Sequence, residues 1–193
     1  MDEKLAGDYP PGVEPIEVHV PDLGRLFNAI DPSPLPAKDL DPKVEEFVVS
    51  WARALPRDAP ISFVIIADSP ADEGEIGAVR EAIGEYFRQR SLSADRRLSQ
   101  LFRVGRTSLV IGVAFLAVAI TLAGLVDRAG NSRVAALGHE SIVIGGWVAM
   151  WRPLEIFLYD WWPIRAERKL YERLSAAPIR FKFDAAAKQK SGA

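Results

Sequence analysis

Arg152 and Glu155 stand three residues apart, with Pro153 between them, inside the otherwise largely apolar run Ser141–Trp162. On a helix that spacing puts a guanidinium and a carboxylate on one face, where they pair. Ionisable groups at membrane depth are costly unless they are paired or functional. The pair is therefore the chain's strongest candidate for a polar path or for a lock between helices. Pro153 removes one backbone hydrogen bond and predicts a kink beside it. His139 and Glu140, just ahead of the run, are a weaker candidate for a proton or metal pair. A polar boundary at the start of an apolar segment accounts for them equally well. His19 alternates with apolar neighbours and reads as an exposed imidazole on the polar side of a strand.

Other reactive groups are sparse. The chain of 193 residues has no cysteine and two histidines, which excludes disulfides, thiolate chemistry and a histidine-rich metal cluster. Gly74 and Gly77 lack the lysine of a phosphate loop, and no nucleophile-elbow, zinc-protease or kinase pattern occurs. Glu45, Glu46, Asp72, Glu73 and Glu75 are scattered and read as solvated helix surface or first-turn dipole partners. No catalytic, cofactor-binding or metal residue is assigned. A net charge of −2 argues against a nucleic-acid partner, which calls for a basic excess.

The elements that would position these groups begin with Thr107–Val126, TSLVIGVAFLAVAITLAGLV, which has no charge and no proline. As a helix it spans roughly 30 Å, the thickness of a bilayer's hydrocarbon core. The mean hydropathy of the whole chain is only +0.04, so most of it belongs in water. The acidic, Pro/Gly-rich N-terminus has no signal-peptide pattern. Arg96, Arg97, Arg103 and Arg106 crowd the near side of the apolar run, and Arg165 and Arg168 follow the second one. The positive-inside rule predicts both termini in the cytoplasm and a two-helix hairpin between them. These six arginines are candidate contacts for lipid headgroups. Trp161 and Trp162 are candidate interface anchors.

Two crossings satisfy the second run. One covers 141–162 and keeps Arg152 and Glu155 inside the membrane. The other covers about 134–151, with Arg152 snorkelling to the headgroups and 153–162 lying along the interface. The first is preferred, because the second leaves His139 and Glu140 inside the outer end. Ser141, Gly145 and Ala149 recur every fourth residue and form a smooth stripe. Ala119 and Ala123, or Ala117 and Thr121, offer a match on the first helix.

Around the hairpin the sequence predicts a small α/β domain. Ile16, Val18 and Val20 alternate as a strand. Asp41 and Pro42 open a helix that Pro56 stops. ISFVIIA at 61–67 reads as a strand buried on both faces. Ser69 and Pro70 read as the start of the next helix, with a break expected around Ser91–Ser93. Ile179, Phe181 and Phe183 alternate again, which makes sense if the chain's end returns to the N-terminal strands. The expected fold class is thus an α+β membrane protein: a two-helix transmembrane hairpin with a small cytoplasmic α/β domain of about three strands, one from the C-terminal tail. The expected order is a disordered segment at 1–14, the domain at 15–104, transmembrane helices at 107–126 and 141–162 around a short external loop at 127–140, a returning helix and strand at 163–183, and a disordered tail at 184–193.

This organisation points to a non-enzymatic scaffold or adaptor of the bacterial inner membrane, its partners being the lipid bilayer and a protein, either another chain or a second copy. The four prolines of DPSPLPAKDLDP give it a rigid segment for docking. The alternative is a subunit of a small oligomeric channel or transporter that uses Arg152 and Glu155. An enzyme acting on lipid headgroups would have only Glu155, Asp160 and Glu167 at the right level.

Overall fold

The computed structural model describes residues 14–35, 37–56, 59–129 and 133–183. The expected N-terminal and C-terminal disordered segments lie outside the described residues, apart from Glu14, which opens the first strand. The chain divides into two compact units at Leu92/Ser93 and at Glu167/Arg168, so the first unit takes its residues from both ends of the sequence.

That unit is a mixed helix-and-sheet body. Strands β1 (Glu14–Val20), β2 (Ile61–Ala67) and β3 (Ile179–Phe183) form one sheet in the order β1-β2-β3. Both pairings are parallel, with Ile16 and Ile179 opposite Phe63 and with Val18 and Phe181 opposite Ile65. Parallel neighbours need crossover connections. Helix α1 (Pro42–Ala54) makes the first; the second contains the entire excursion from residue 68 to residue 178. The late strand therefore completes the sheet on the far edge of β2, and β2 is buried along nearly its whole length because it is central.

The period-2 face of the sheet meets the period-3.6 faces of the helices. Phe87, fully buried, stacks on Phe63 and on Tyr171 at ring-centroid distances of 6.2 Å. Val79, Ala82 and Ile83 from the same helix, with Leu26, Val48 and Leu174, close the core. Helix α1 starts where Asp41 accepts from the Lys43 amide at 2.8 Å, with Pro42 in the first position. The next helix starts later than Ser69 and Pro70 suggest. The amides of Asp68 and Ser69 are held by the carbonyls of Val20 and Pro21. Asp72 instead caps the helix by accepting from the Glu75 amide at 2.7 Å.

Helix α2 then runs from Glu73 to Ala129, 57 residues without interruption. The expected break at Ser91–Ser93 does not occur. No proline lies in that stretch, and Ser91 is buried rather than competing for the backbone. Helix α3 covers Arg133–Glu155 and passes through a π-helical segment, Ile156–Asp160, into α4 (Trp161–Ser175). Helix thus covers 133–140, where a loop was expected; Ala135, Ala136 and Leu137 are strong helix formers. Residues 130–132 are outside the described set.

Candidate functional site

The second unit, Ser93–Glu167, holds the pair that the sequence singles out. Its two helices meet along a seam of small residues. Gly138 faces Val126, Gly146 faces Leu116 and Ala119, Gly112 faces the stretch from Ala149 to Pro153, and Gly105 faces Ile156 and Phe157. These pairs run in opposite order along the two helices. Ala119 and Ala123 are buried in the seam, whereas Ala117, Thr121, Ser141 and Gly145 are exposed. The contact stripe on α3 is therefore shifted by one residue from Ser141–Gly145–Ala149, and only Ala149 of that set borders it.

Gly112 shows why the shift matters. Pro153 has no N–H, so the carbonyl of Ala149, four residues earlier, loses its helical donor. A Cβ added at Gly112 would stand 3.1 Å from that oxygen and 3.1 Å from the Met150 sulfur. Glycine is what permits the approach.

Beyond Pro153 the ladder widens to i→i+5 bonding over Ile156–Asp160. Such a turn re-aims the side chains that follow it. Arg152 Nη1 donates to Glu155 Oε2 at 2.8 Å, as the spacing predicts, and also reaches Asp160 Oδ2 at 3.1 Å. Asp160 is a partner that helical spacing does not reveal, because a residue eight positions on lies two turns away on a regular helix. The signal for it is Pro153, which marks where the regular ladder fails. One guanidinium thus serves two carboxylates, leaving a net single negative charge.

The same segment carries the aromatic residues. The Trp161 indole N–H donates to the Phe157 carbonyl at 2.9 Å, its ring lies 5.4 Å from that of Trp162, and Arg165 sits over it at 5.5 Å. Trp162 is exposed. Of the other candidate arginines, Arg97 pairs with Glu167 at 2.8 Å. Arg168, in the first unit, pairs with Glu172 at 2.9 Å. Arg96, Arg103 and Arg106 are exposed and make no side-chain bond among the described residues. His139 Nδ1 lies 3.3 Å from the Ala123 carbonyl across the seam, and Glu140 is exposed beside it.

Among the described residues no three carboxylates or imidazoles come together to hold a metal ion. A small cavity in the first unit is lined only by apolar side chains, among them Leu26, Phe63, Ile83 and Phe87, and offers no group for a reaction. No protein-family model, curated protein or solved structure matches the chain.

Two further arrangements lie in the first unit. The Tyr86 hydroxyl donates to Glu45 at 2.7 Å, and Arg90 binds both Glu45 and the Tyr86 oxygen, joining α1 to α2. Burial first, then the adjacent Glu45 carboxylate, raises the Tyr86 pKa well above that of an ordinary phenol. Partial burial opposes the charge on Arg90, but the bonds to Glu45 and Tyr86 outweigh it and hold the guanidinium protonated more firmly than usual. In the proline-rich segment Asp31 accepts from the amides of Asp39 at 2.7 Å and Ser33 at 2.9 Å. Those two backbone donors, Asp39 first, hold its carboxyl below the usual range. With the Phe27–Leu40 bridge, they close the segment into a tied loop whose neighbour Ile30 is 89% exposed.

Proposed function

We propose that this chain is a non-enzymatic adaptor anchored in the bacterial cytoplasmic membrane by a two-helix transmembrane hairpin, with both termini and the α/β unit on the cytoplasmic side. One observation carries the anchor: the helix pair is inverted relative to a water-soluble protein. Two helices are long and apolar enough to cross a bilayer, and only 17% of each apolar window is buried. Their buried seam is glycine and alanine, while Val110, Ile111, Ile144 and Val148 are each more than 60% exposed. Water forbids so large an apolar exterior. Lipid favours it, because close packing of small residues is what associates helices when the solvent is itself apolar.

The order of contacts along the seam gives the second crossing an inner end between those of the two alternatives, near Ile156. Gly138 faces Val126 and Gly105 faces Ile156, so Arg152 falls within about one turn of the level of Thr107, where the apolar run begins. From there its guanidinium reaches the headgroups by snorkelling. His139 and Glu140 then lie close to the outer end of the first crossing, and the His139 contact to Ala123 offsets part of the cost of placing them there.

The adaptor role draws on the surface of the α/β unit. Phe47 and Trp51 are 42% and 50% exposed, with rings 6.3 Å apart on one face of α1. An exposed aromatic pair of this kind is typical of protein-binding surfaces. Affinity purification of the full chain in mild detergent after crosslinking tests the proposal, and a reproducible protein partner is the expected result. Recovery of a bare monomer refutes it. The alternative, a channel or transporter subunit, draws on the Arg152 cluster, to which Asp160 adds a second carboxylate.

A further inference from the structure

We infer that the face of α2 carrying Arg96, Arg103 and Arg106 binds acidic phospholipid headgroups, an inference that rests on the membrane-anchored reading above. Spacings of seven and three residues put these side chains on a single helical face. All three are exposed, and among the described residues none of their side chains has a hydrogen bond or an ion pair. The other cations at this end of the unit are already matched. Arg97 has Glu167 at 2.8 Å, and Arg152 has Glu155 at 2.8 Å and Asp160 at 3.1 Å. Arg165 lies over the Trp161 ring. Among the described residues at this end of the unit, the cations with neither a bonded carboxylate nor a ring partner are therefore concentrated on one face of one helix.

Depth orders the three. Arg106 directly precedes Thr107, where the apolar run begins. Arg103 lies about 6 Å below that boundary and Arg96 about 16 Å below it, at ~1.5 Å per residue. A headgroup layer adds roughly 5–8 Å to each side of the hydrocarbon core. Arg103 and Arg106 are thus at phosphate level, where their positive charge attracts an acidic headgroup. Arg96 lies beyond it and acts only through the surface potential, which decays over about 8 Å at physiological ionic strength. The occupant is an acidic lipid rather than a zwitterionic one, because among the described residues no carboxylate bonds the side chain of Arg103 or Arg106 and their charge is left to an anionic headgroup.

The test uses the full chain reconstituted in phosphatidylcholine vesicles, with spin-labelled phosphatidylglycerol or spin-labelled phosphatidylcholine as the probe. Electron spin resonance reads the fraction of each probe immobilised by the protein. The wild type is expected to prefer the acidic probe, and Arg103→Gln and Arg106→Gln each to lower that preference by up to about fivefold. Arg103→Lys and Arg106→Lys retain most of it, Arg96→Gln lowers it less, and Arg97→Gln leaves it unchanged. Equal immobilisation of both probes by the wild type overturns the inference. So does an equal loss in Arg97→Gln, or a preference that persists in 1 M salt. A chain that fails to insert into either kind of vesicle overturns the anchor itself, a failure distinct from insertion without lipid preference.

Discussion

Replacing Gly112 and Gly145 by alanine, one at a time, sets the observed seam against the stripe that sequence spacing alone favours. Both glycines lie inside apolar helices, and alanine is the better helix former by up to about 1 kcal/mol. That gain is common to the two variants and cancels between them. What remains is contact. A Cβ at Gly145 meets nothing within 4 Å, whereas one at Gly112 meets the Ala149 carbonyl and the Met150 sulfur at 3.1 Å and Pro153 at 3.6 Å. The neighbours at Gly112 must yield by a few tenths of an ångström, and one of them is backbone. Overpacking of that kind costs about 1–3 kcal/mol. Gly112→Ala is therefore expected to open the helix pair more easily than Gly145→Ala by that margin. The chain has no cysteine, so cysteines placed at the exposed positions Val110 and Trp151 carry unique spin labels. Their separation, followed through a dodecyl sulfate titration in micelles, reports opening of the pair. A midpoint for Gly145→Ala at or below that of Gly112→Ala would refute the seam.

The remaining predictions concern the ion clusters. Tyr86 has a raised pKa in the folded unit, so the folded state keeps a proton that the unfolded chain gives up near pH 10. Its contribution to stability is complete below that pH and falls as pH rises beyond it. Tyr86→Phe is expected to lose about 1 kcal/mol at neutral pH and to flatten the alkaline decline, read as thermal midpoints from pH 8 to 11; an unchanged alkaline slope refutes the assignment. Arg152→Leu is expected to leave insertion and partner capture intact, measured by carbonate extraction and crosslinking. If that variant instead abolishes an ion or solute flux measurable with the wild type in vesicles, the channel reading replaces the adaptor.

The parts of the fold legible in sequence were those governed by local rules. Alternation at Ile16–Val20 and Ile179–Phe183, the continuous run at 61–67 and the Asp41-Pro42 start all report a solvent boundary or a cap, and each has its own residue signal. Where two local rules competed, reading failed. Ser69-Pro70 has the pattern of a helix start, but the backbone bonds that tie residues 68–69 to the end of β1 leave the cap to Asp72, which the pattern marks only as a first-turn carboxylate. The Arg152–Glu155 pair was legible because its partners are one turn apart. Asp160 was not, because its approach depends on a π-segment, and that segment follows from how the ladder recovers after Pro153. Glu45 and Tyr86, 41 residues apart in sequence, meet only through the tertiary packing of α1 on α2.

The seam makes the deeper point about what periodicity conveys. In the α/β unit apolar residues mark the buried side, so a periodic pattern names the face that packs. In the helix pair every face is apolar, and the pattern loses that meaning. Small residues replace large ones as the marker, but they mark the seam only where something approaches closely. Gly145 and Gly146 are adjacent, equally small and differently used: Gly146 lies against Leu116 and Ala119, while Gly145 has open space around it. The choice between them is made by the register of the two helices, which is fixed along the seam by Gly105 against Ile156 and by Gly112 against the carbonyl that Pro153 leaves without a donor. A proline that disrupts the backbone ladder thus also sets which glycine is indispensable, and the ion cluster beyond it inherits its geometry from the same residue.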